Sequence, residues 1–435
     1  MTILILYHQK PRAQRKAISR HLEAFGITER HKVEYWNIAY GIPEIVLECG
    51  FDVVIFHFTF FLPNINKKFD TEFIRWSVLK RMDAYKIALV QDEYVNTSSL
   101  CKFFKEFGVK EIFTCLPESL FQTVYPKEKT GIEYYHTVLT GYIDDQMIHD
   151  YGQSAIPHKS RRYDIAYRAR KMPYNLGFFG TYKWRLTEVF KKYCEGSNFK
   201  LNLSNDPQDF LFGEAWYSFV GNTRTMLGCE GGASLHDPDG IIRSCCEKLM
   251  LQKSDLSFED VEEHCFKNQD GKFPYFAISP RHFEAAVSKT CQVLIEGHYN
   301  GILIPWIHYI PIMKDWSNMS QVLEKIADVE YCENLAEKAY TDLVLSKEFT
   351  YPKFIDFVYR NIEEHIQKTN SNLINNQAIS RLRFFRRYSF LIAPKAYAIA
   401  HLTEWLKQVV WFWGWDKKLW FKKIELKIFG HNSVR

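Results

Sequence analysis

The sequence predicts an α/β protein built from two doubly wound parallel-sheet units, followed by a basic, aromatic segment. Three observations predict it. Through the first 150 positions, short apolar runs alternate with polar helical stretches. This is the rhythm of strand, crossover helix and parallel strand. The same rhythm restarts after a polar break at Gln153–Arg162. Finally, the positive charge gathers at one end: from Ser371 onward twelve Lys/Arg face three Asp/Glu, a balance of +9 within a net +5, so the rest of the chain carries −4.

Taken in order, Thr2–Tyr7 reads as a strand and Arg12–Phe25 as a helix. Lys32–Trp36 and Phe51–Phe58 are the next strands, and Asp70–Met82 reads as helical. Strand Lys86–Val90, helix Ser98–Phe107, strand Glu111–Thr114 and a short strand Thr137–Leu139 complete a first domain over 1–155. No Gly-x-Gly-x-x-Gly follows the first strand, which argues against a dinucleotide site there. The second domain, 160–346, opens with strand Asp164–Arg168 and helix Tyr182–Cys194. Strand Phe199–Leu203, helix Glu214–Val220 and strand Arg224–Cys229 follow. Ser279-Pro280 then starts a short helix, with Pro at an early position where a missing N–H costs little. Strand Cys291–Ile295 and helix Met319–Ile326 come next. Residues 347–370 read as a closing helix, and the polar run Gln367–Gln377 as a linker to the final segment, 371–435.

Composition narrows the class. The chain has 435 residues, enough for two or three domains. Ten cysteines form no Cys-x-x-Cys and no zinc-spaced Cys/His group. Several lie in apolar runs, the pattern of buried free thiols in a reducing, cytoplasmic setting. MTILILYHQKPR looks like a first strand rather than a signal peptide. No apolar run reaches membrane-spanning length.

Several groups could carry chemistry. Ligands of open parallel sheets bind beyond the carboxyl ends of the strands. In the first domain this selects His57, and Asp92 with Glu93, as candidate acid–base groups. His57, flanked by Phe56 and Phe58, also reads as a core histidine. In the second domain, Arg168 and Arg170 follow the first strand, and Gly177, Gly180 and Lys183 come after. Cations around a glycine loop and a helix start can cradle a diphosphate. Asp237-Pro-Asp239-Gly is formally Asp-x-Asp but reads as an ordinary turn, so no metal site is expected.

Phe276–Asn318, with the helix Phe283-Glu284-Ala285 before a buried strand, resembles the nucleotide-binding end of GT-B glycosyltransferases. The likeness is to bacterial surface-polysaccharide enzymes (lipopolysaccharide or capsule) of the group 1 type. It implies two Rossmann-like domains facing across a cleft, the first for acceptor and the second for donor. It gives Glu284 the role of accepting hydrogen bonds from a donor ribose. Leu227–Gly240 (LGCEGGASLHDPDG) resembles a donor-binding loop of the same enzymes. That adds Glu230, Gly231, Gly232, Ser234 and His236 to the donor site. Thr140-Gly141-Tyr142 would line the cleft.

The final segment holds five tryptophans and the run Lys417, Lys418, Lys422, Lys423, Lys427. Aromatic and basic residues suit an anionic membrane surface. A helix packing on another subunit, or an RNA-binding arm, is the alternative. The reading is a transferase moving sugar from a nucleotide-sugar to a lipid-linked or lipopolysaccharide glycan. It would act peripherally at the cytoplasmic membrane face, with no cofactor and no nucleic-acid partner. A sugar-nucleotide epimerase, or a non-catalytic scaffold of polysaccharide assembly, is the rival.

Overall fold

The computed structural model describes residues 1–9, 16–62, 70–153, 155–253, 255–366 and 374–388. Two parallel sheets dominate. The first holds β1 (Thr2–Tyr7), β2 (Lys32–Asn37), β3 (Val53–Phe56), β4 (Tyr85–Val90), β5 (Val109–Thr114) and β6 (Tyr134–Thr137), in the order β2-β1-β3-β4-β5-β6. The second holds β7 (Tyr163–Arg168), β8 (Leu201–Ser204), β9 (Thr223–Gly228), β12 (Cys291–Ile295) and β13 (Tyr309–Ile312), in the order β13-β12-β9-β7-β8. A separate antiparallel ribbon joins β10 (Gly231–Ala233) to β11 (Tyr275–Ala277).

The helices used below are α1 (Lys16–Glu23), α2 (Thr97–Phe107), α3 (Phe178–Tyr193), α4 (Glu214–Gly221), α5 (Ile241–Gln252), α6 (Phe258–Cys265), α7 (Pro280–Val287), α8 (Met319–Ala327), α9 (Val329–Ala339), α10 (Tyr351–His365) and α11 (Asn376–Arg387). Strand β1 shows why these elements form. In TILILY every side chain before Tyr7 is buried, as a central parallel strand covered on both faces requires.

Two expectations shift. Asp70–Met82 is not one helix but two short 3-10 turns, Asp70–Phe73 and Ser77–Arg81. Phe73 and Trp76 both pack on Phe103, and that aromatic contact sets the backbone more firmly than helix propensity does. The last strand of the first sheet is Tyr134–Thr137, because its pairing runs from Glu111↔Tyr134 to Thr114↔Thr137.

The chain then crosses back. Helix α10 leaves the second unit and lays Tyr351, Phe354, Ile355, Val358, Tyr359 and Ile362 on the first sheet, among Ile3, Ile5, Val53 and Ile55. Burying side chains of this size contributes about 1.5–3 kcal/mol each. Helix α11 covers another part of the same domain with Ala378, Ile379 and Leu382, and Arg383 pairs with Glu34. Residues 376–387 of the basic segment are therefore part of the folded body. Its tryptophans and the Lys417–Lys427 run lie outside the described residues. Among the described residues, no helix is long and apolar enough to cross a membrane.

Between β9 and β12 the chain makes an excursion through β10, α5, α6 and β11. Cys245 and Cys265 form a disulfide that joins α5 to α6, while the other eight cysteines are free and buried. Spacing alone did not reveal that pair. The excursion also binds the first domain. Asn96 N donates to Asp237 O (2.9 Å), and Asp237 N donates to Tyr94 O (2.8 Å).

Candidate active site

Both sheets reverse their strand order between the first and third strands, and an open parallel sheet binds ligands at that switch point. In the second sheet it lies between the carboxyl ends of β7 and β9. The start of α7 comes up to the same place. Ser279 holds extended backbone (φ −102°, ψ 158°) at the N-cap, and Pro280 begins the helix. The Ser279 hydroxyl makes no cap bond, and the first turn carries no acid. Pro280 has no N–H and His282 N already donates to Ser279 O (3.0 Å), so the first turn leaves Arg281 N, at the positive end of the helix, for a phosphate.

Arg281 stands beside this terminus. Its Nη1 donates to Arg168 O (2.7 Å), and its guanidinium lies over the Trp216 ring (4.9 Å) while the side chain stays exposed. Lys183 of α3 adds a second cation, with no hydrogen bond or ion pair among the described residues. Both cations act on the Cys229 thiol between them. Burial outweighs their pull and raises that thiol to about 11.

Glu284 lies one turn into α7. It accepts hydrogen bonds from Trp216 Nε1 (2.8 Å) and Tyr217 Oη (3.4 Å), and burial raises its pKa. A carboxylate offers about four acceptor directions, so two stay available. The first domain supplies the facing wall. Thr140 Oγ1 donates to Ile278 O (2.7 Å), and a Cβ on Gly141 would stand 2.8 Å from Pro280 Cγ.

The other expected donor residues are differently placed. Arg168 spends four of its five N–H groups on Asp209 O, Tyr167 O, Asn202 O and the Asn202 side chain. It fastens β7 to β8 and leaves little for a phosphate. Arg170 is exposed and lies over Phe210 (4.7 Å). Glu230 accepts from Tyr299 N (2.6 Å) and so fixes the loop after β12. Gly231 and Gly232 belong to the β10–β11 ribbon. Gly232 has φ 115°, and a Cβ there would meet Tyr275 O at 1.9 Å.

Ser234 donates to Asp270 Oδ1 (2.6 Å), and Asp270 Oδ2 accepts from Phe178 N (2.8 Å). A carboxylate thus already satisfies the start of α3, where glycines had suggested a phosphate cradle. Of α3 and α7, it is α7 whose start no side chain caps. His236 pairs with Thr97 Oγ1 (2.8 Å) and stacks on Phe273, in the seam between domains. Asp237 Oδ2 accepts from Arg243 N (2.8 Å) at the start of α5, in keeping with the turn reading.

Of the three acid–base candidates, Asp92 alone is exposed, in the left-handed region at φ 59°. His57 is fully enclosed. Thr59 N donates to its Nδ1 (3.3 Å), which makes Nε2 the donor toward His21 Nδ1 (3.0 Å). Burial holds His57 well below the ordinary histidine range and His21 at about 3. Both imidazoles are neutral at pH 7. Glu93 is also enclosed, accepting from Thr114 Oγ1, Tyr125 Oη (3.1 Å) and Cys115 N (3.4 Å).

Burial raises Glu93 to about 7 from an ordinary 4.5. The folded state therefore holds this proton more tightly than the unfolded chain. The resulting stability is complete below pH 4.5 and is lost as pH rises through 7. Glu93→Gln is expected to flatten the fall of unfolding free energy between pH 5 and 8, a difference on the order of 3 kcal/mol. Urea unfolding at each pH measures it, and an unchanged slope rejects the assignment.

Sequence reasoning missed Arg281 and Asp270. Arg281 was legible, since it sits between Pro280 and Glu284 in the segment singled out. Asp270 gave no signal, because only the folded excursion brings it to Ser234 and Phe178.

No protein-family model and no curated protein matches the sequence. Among solved structures, the chain is similar to an alpha-glucosyltransferase in complex with UDP and a 13-mer DNA containing a HMU base. Identity is 11%, coverage 83% of this chain and 99% of that one, and the TM-score 0.51. HepE from Anabaena in complex with UDP-glucose matches at 9% identity, 84% and 100% coverage and a TM-score of 0.44. The DNA-modifying beta-glucosyltransferase matches at 10%, 83% and 100%, and 0.46. The architecture is that of a two-domain GT-B fold.

Proposed function

We propose that the chain transfers a glycosyl group from a nucleotide-sugar donor to an acceptor hydroxyl held by the first domain. The open, cation-flanked start of α7 carries the reading, with the Glu284 carboxylate one turn further in. The diphosphate rests on Arg281 N at the start of α7, with the Arg281 and Lys183 side chains beside it. The ribose hydroxyls take the two acceptor directions of Glu284 that Trp216 and Tyr217 leave open. Those two residues are positioning residues that fix the carboxylate.

In the reaction the bond between the anomeric carbon and the diphosphate oxygen breaks, and a glycosidic bond forms to the acceptor oxygen. The acceptor proton departs to a base, and the diphosphate leaves carrying the electron pair. Fixed cations and N–H groups stabilise the charge that develops on the leaving group. Asp92, the exposed one of the three acid–base candidates, serves as base in an inverting reaction.

The acceptor proposed is a lipid-linked or lipopolysaccharide glycan, reached at a membrane surface through the basic segment beyond Tyr388. That rests on the composition of the segment. The alpha-glucosyltransferase neighbour holds DNA, so DNA belongs among the acceptors tested.

Thermal shifts with UDP-, GDP-, CMP- and dTDP-sugars test the donor site. No shift with any of them rejects the reading, and conversion of the donor without an acceptor would mark an epimerase. Transfer assays with lipid-linked glycan and with DNA then separate the acceptors. Gly141→Val is expected to push Pro280 away and cut transfer about tenfold, since a 1 Å misplacement can cost a hundredfold. Its melting temperature should fall only modestly, because Gly141 holds no positive φ and overpacking of this kind costs about 1–3 kcal/mol. Full activity would show that the crevice does not need this close approach.

A further inference from the structure

We propose that Glu111, His136 and His365 bind one divalent transition-metal ion, zinc being the reference, which pins α10 to the first sheet. The three residues come from β5, β6 and α10, and their ligand atoms all lie within 4.8 Å of one another. His136 Nε2 is 2.7 Å and His365 Nδ1 3.2 Å from the same oxygen, Glu111 Oε1. A tetrahedral ion with bonds of about 2.0–2.1 Å spaces its ligand atoms about 3.3 Å apart, so small outward shifts admit it.

The surroundings are those of a built site. Tyr85 Oη donates to Glu111 Oε2 (2.9 Å), which turns Oε1 toward both imidazoles. Metal sites orient their carboxylates in this way. The His365 ring stacks on Tyr134 (3.5 Å) and the His136 ring on Phe113 (4.7 Å), so neither plane turns freely. The Glu111 carboxylate is fully buried and has no Lys or Arg partner among the described residues. A buried carboxylate calls for positive charge, and a divalent ion supplies it. The histidine side chains keep 15% and 13% exposure, which leaves a fourth position for water.

Two imidazoles and one carboxylate suit zinc, cobalt, nickel or ferrous iron. The ion would sit under α10, below the carboxyl ends of the strands, and hold in place the helix that returns from the second domain. Its role is structural and does not depend on the transfer reaction.

The test uses the full chain without a histidine tag. Metal content is read by mass spectrometry after purification, and chelated protein is then titrated with Zn²⁺ and with Co²⁺. One equivalent of metal, visible bands of four-coordinate Co²⁺ and a rise of several degrees in melting temperature with Zn²⁺ are expected. Glu111→Gln and His365→Ala should lose the bands and the rise. His365 ends a helix and is partly exposed, so its variant is expected to fold. Absence of Zn²⁺ or Co²⁺ binding in the wild type overturns the proposal. Binding that survives in both variants places the metal elsewhere and overturns it too.

Discussion

Arg281→Ala is expected to lower kcat/KM for glycosyl transfer by about 10²–10³, the cost of removing one preorganised group that stabilises developing charge. The fold should survive. Arg281 is exposed, and its losses are one bond to Arg168 O and a cation–π contact worth about 0.5–1 kcal/mol at an exposed site. Arg281→Lys keeps the charge but not the fork, so it should fall between. Steady-state kinetics beside a melting curve read both quantities. Wild-type kcat/KM in Arg281→Ala would remove the diphosphate from α7. Glu284→Ala is a less clean probe. It would remove a ribose contact but also leave Trp216 Nε1 and Tyr217 Oη without their buried acceptor, so lost stability would mix with lost binding.

Legibility from sequence followed how local each signal was. Strand Cys291–Ile295 was placed to the residue, because a continuous buried run between a polar turn and Glu296-Gly297 has one reading. Helix α7 was legible for the same reason, since Ser-Pro marks its start. The two-sheet layout also followed from the alternation of short runs. The Leu227–Gly240 loop was harder. Its glycines do permit close approach, but the strand that approaches is β11, some forty positions on. Ser234 and Glu230 likewise face Asp270 and Tyr299, partners defined only after folding. His57 shows the limit of the strand-end rule. It does follow a strand at the switch point of the first sheet, yet His21 and Thr59 enclose it. The metal triad joins a strand residue to one more than 250 positions later, and no spacing rule reaches that far.

Arg161 gives the largest expected loss of stability, and its reason lies in how the second domain begins. The polar break at Gln153–Arg162 marks where the second domain begins, yet Arg161 turns inward and is only 5% exposed. Its Nε donates to Ile156 O (2.8 Å), its Nη1 to Thr223 O (2.9 Å) and Thr290 Oγ1 (2.7 Å), and its Nη2 to Ser288 O (3.0 Å). One side chain thus ties the interdomain link to the start of β9 and to the turn between α7 and β12. Among the described residues no carboxylate hydrogen-bonds to it, and burial pulls its pKa down to about 10. A buried cation held by neutral acceptors survives only while every acceptor is in place. Arg161→Met keeps the volume and takes the guanidinium donor from three carbonyls and from the Thr290 hydroxyl, which still donates to Val220 O (2.9 Å). At about 1–3 kcal/mol for each buried acceptor left without its donor, the expected cost is about 3–5 kcal/mol, a drop of roughly 10 °C in melting temperature. Arg161→Lys should recover little, because one ammonium cannot span four acceptors on three elements. Urea unfolding of the two variants decides it. A loss under about 1 kcal/mol in Arg161→Met would mean that water replaces the guanidinium and that the second domain is anchored elsewhere.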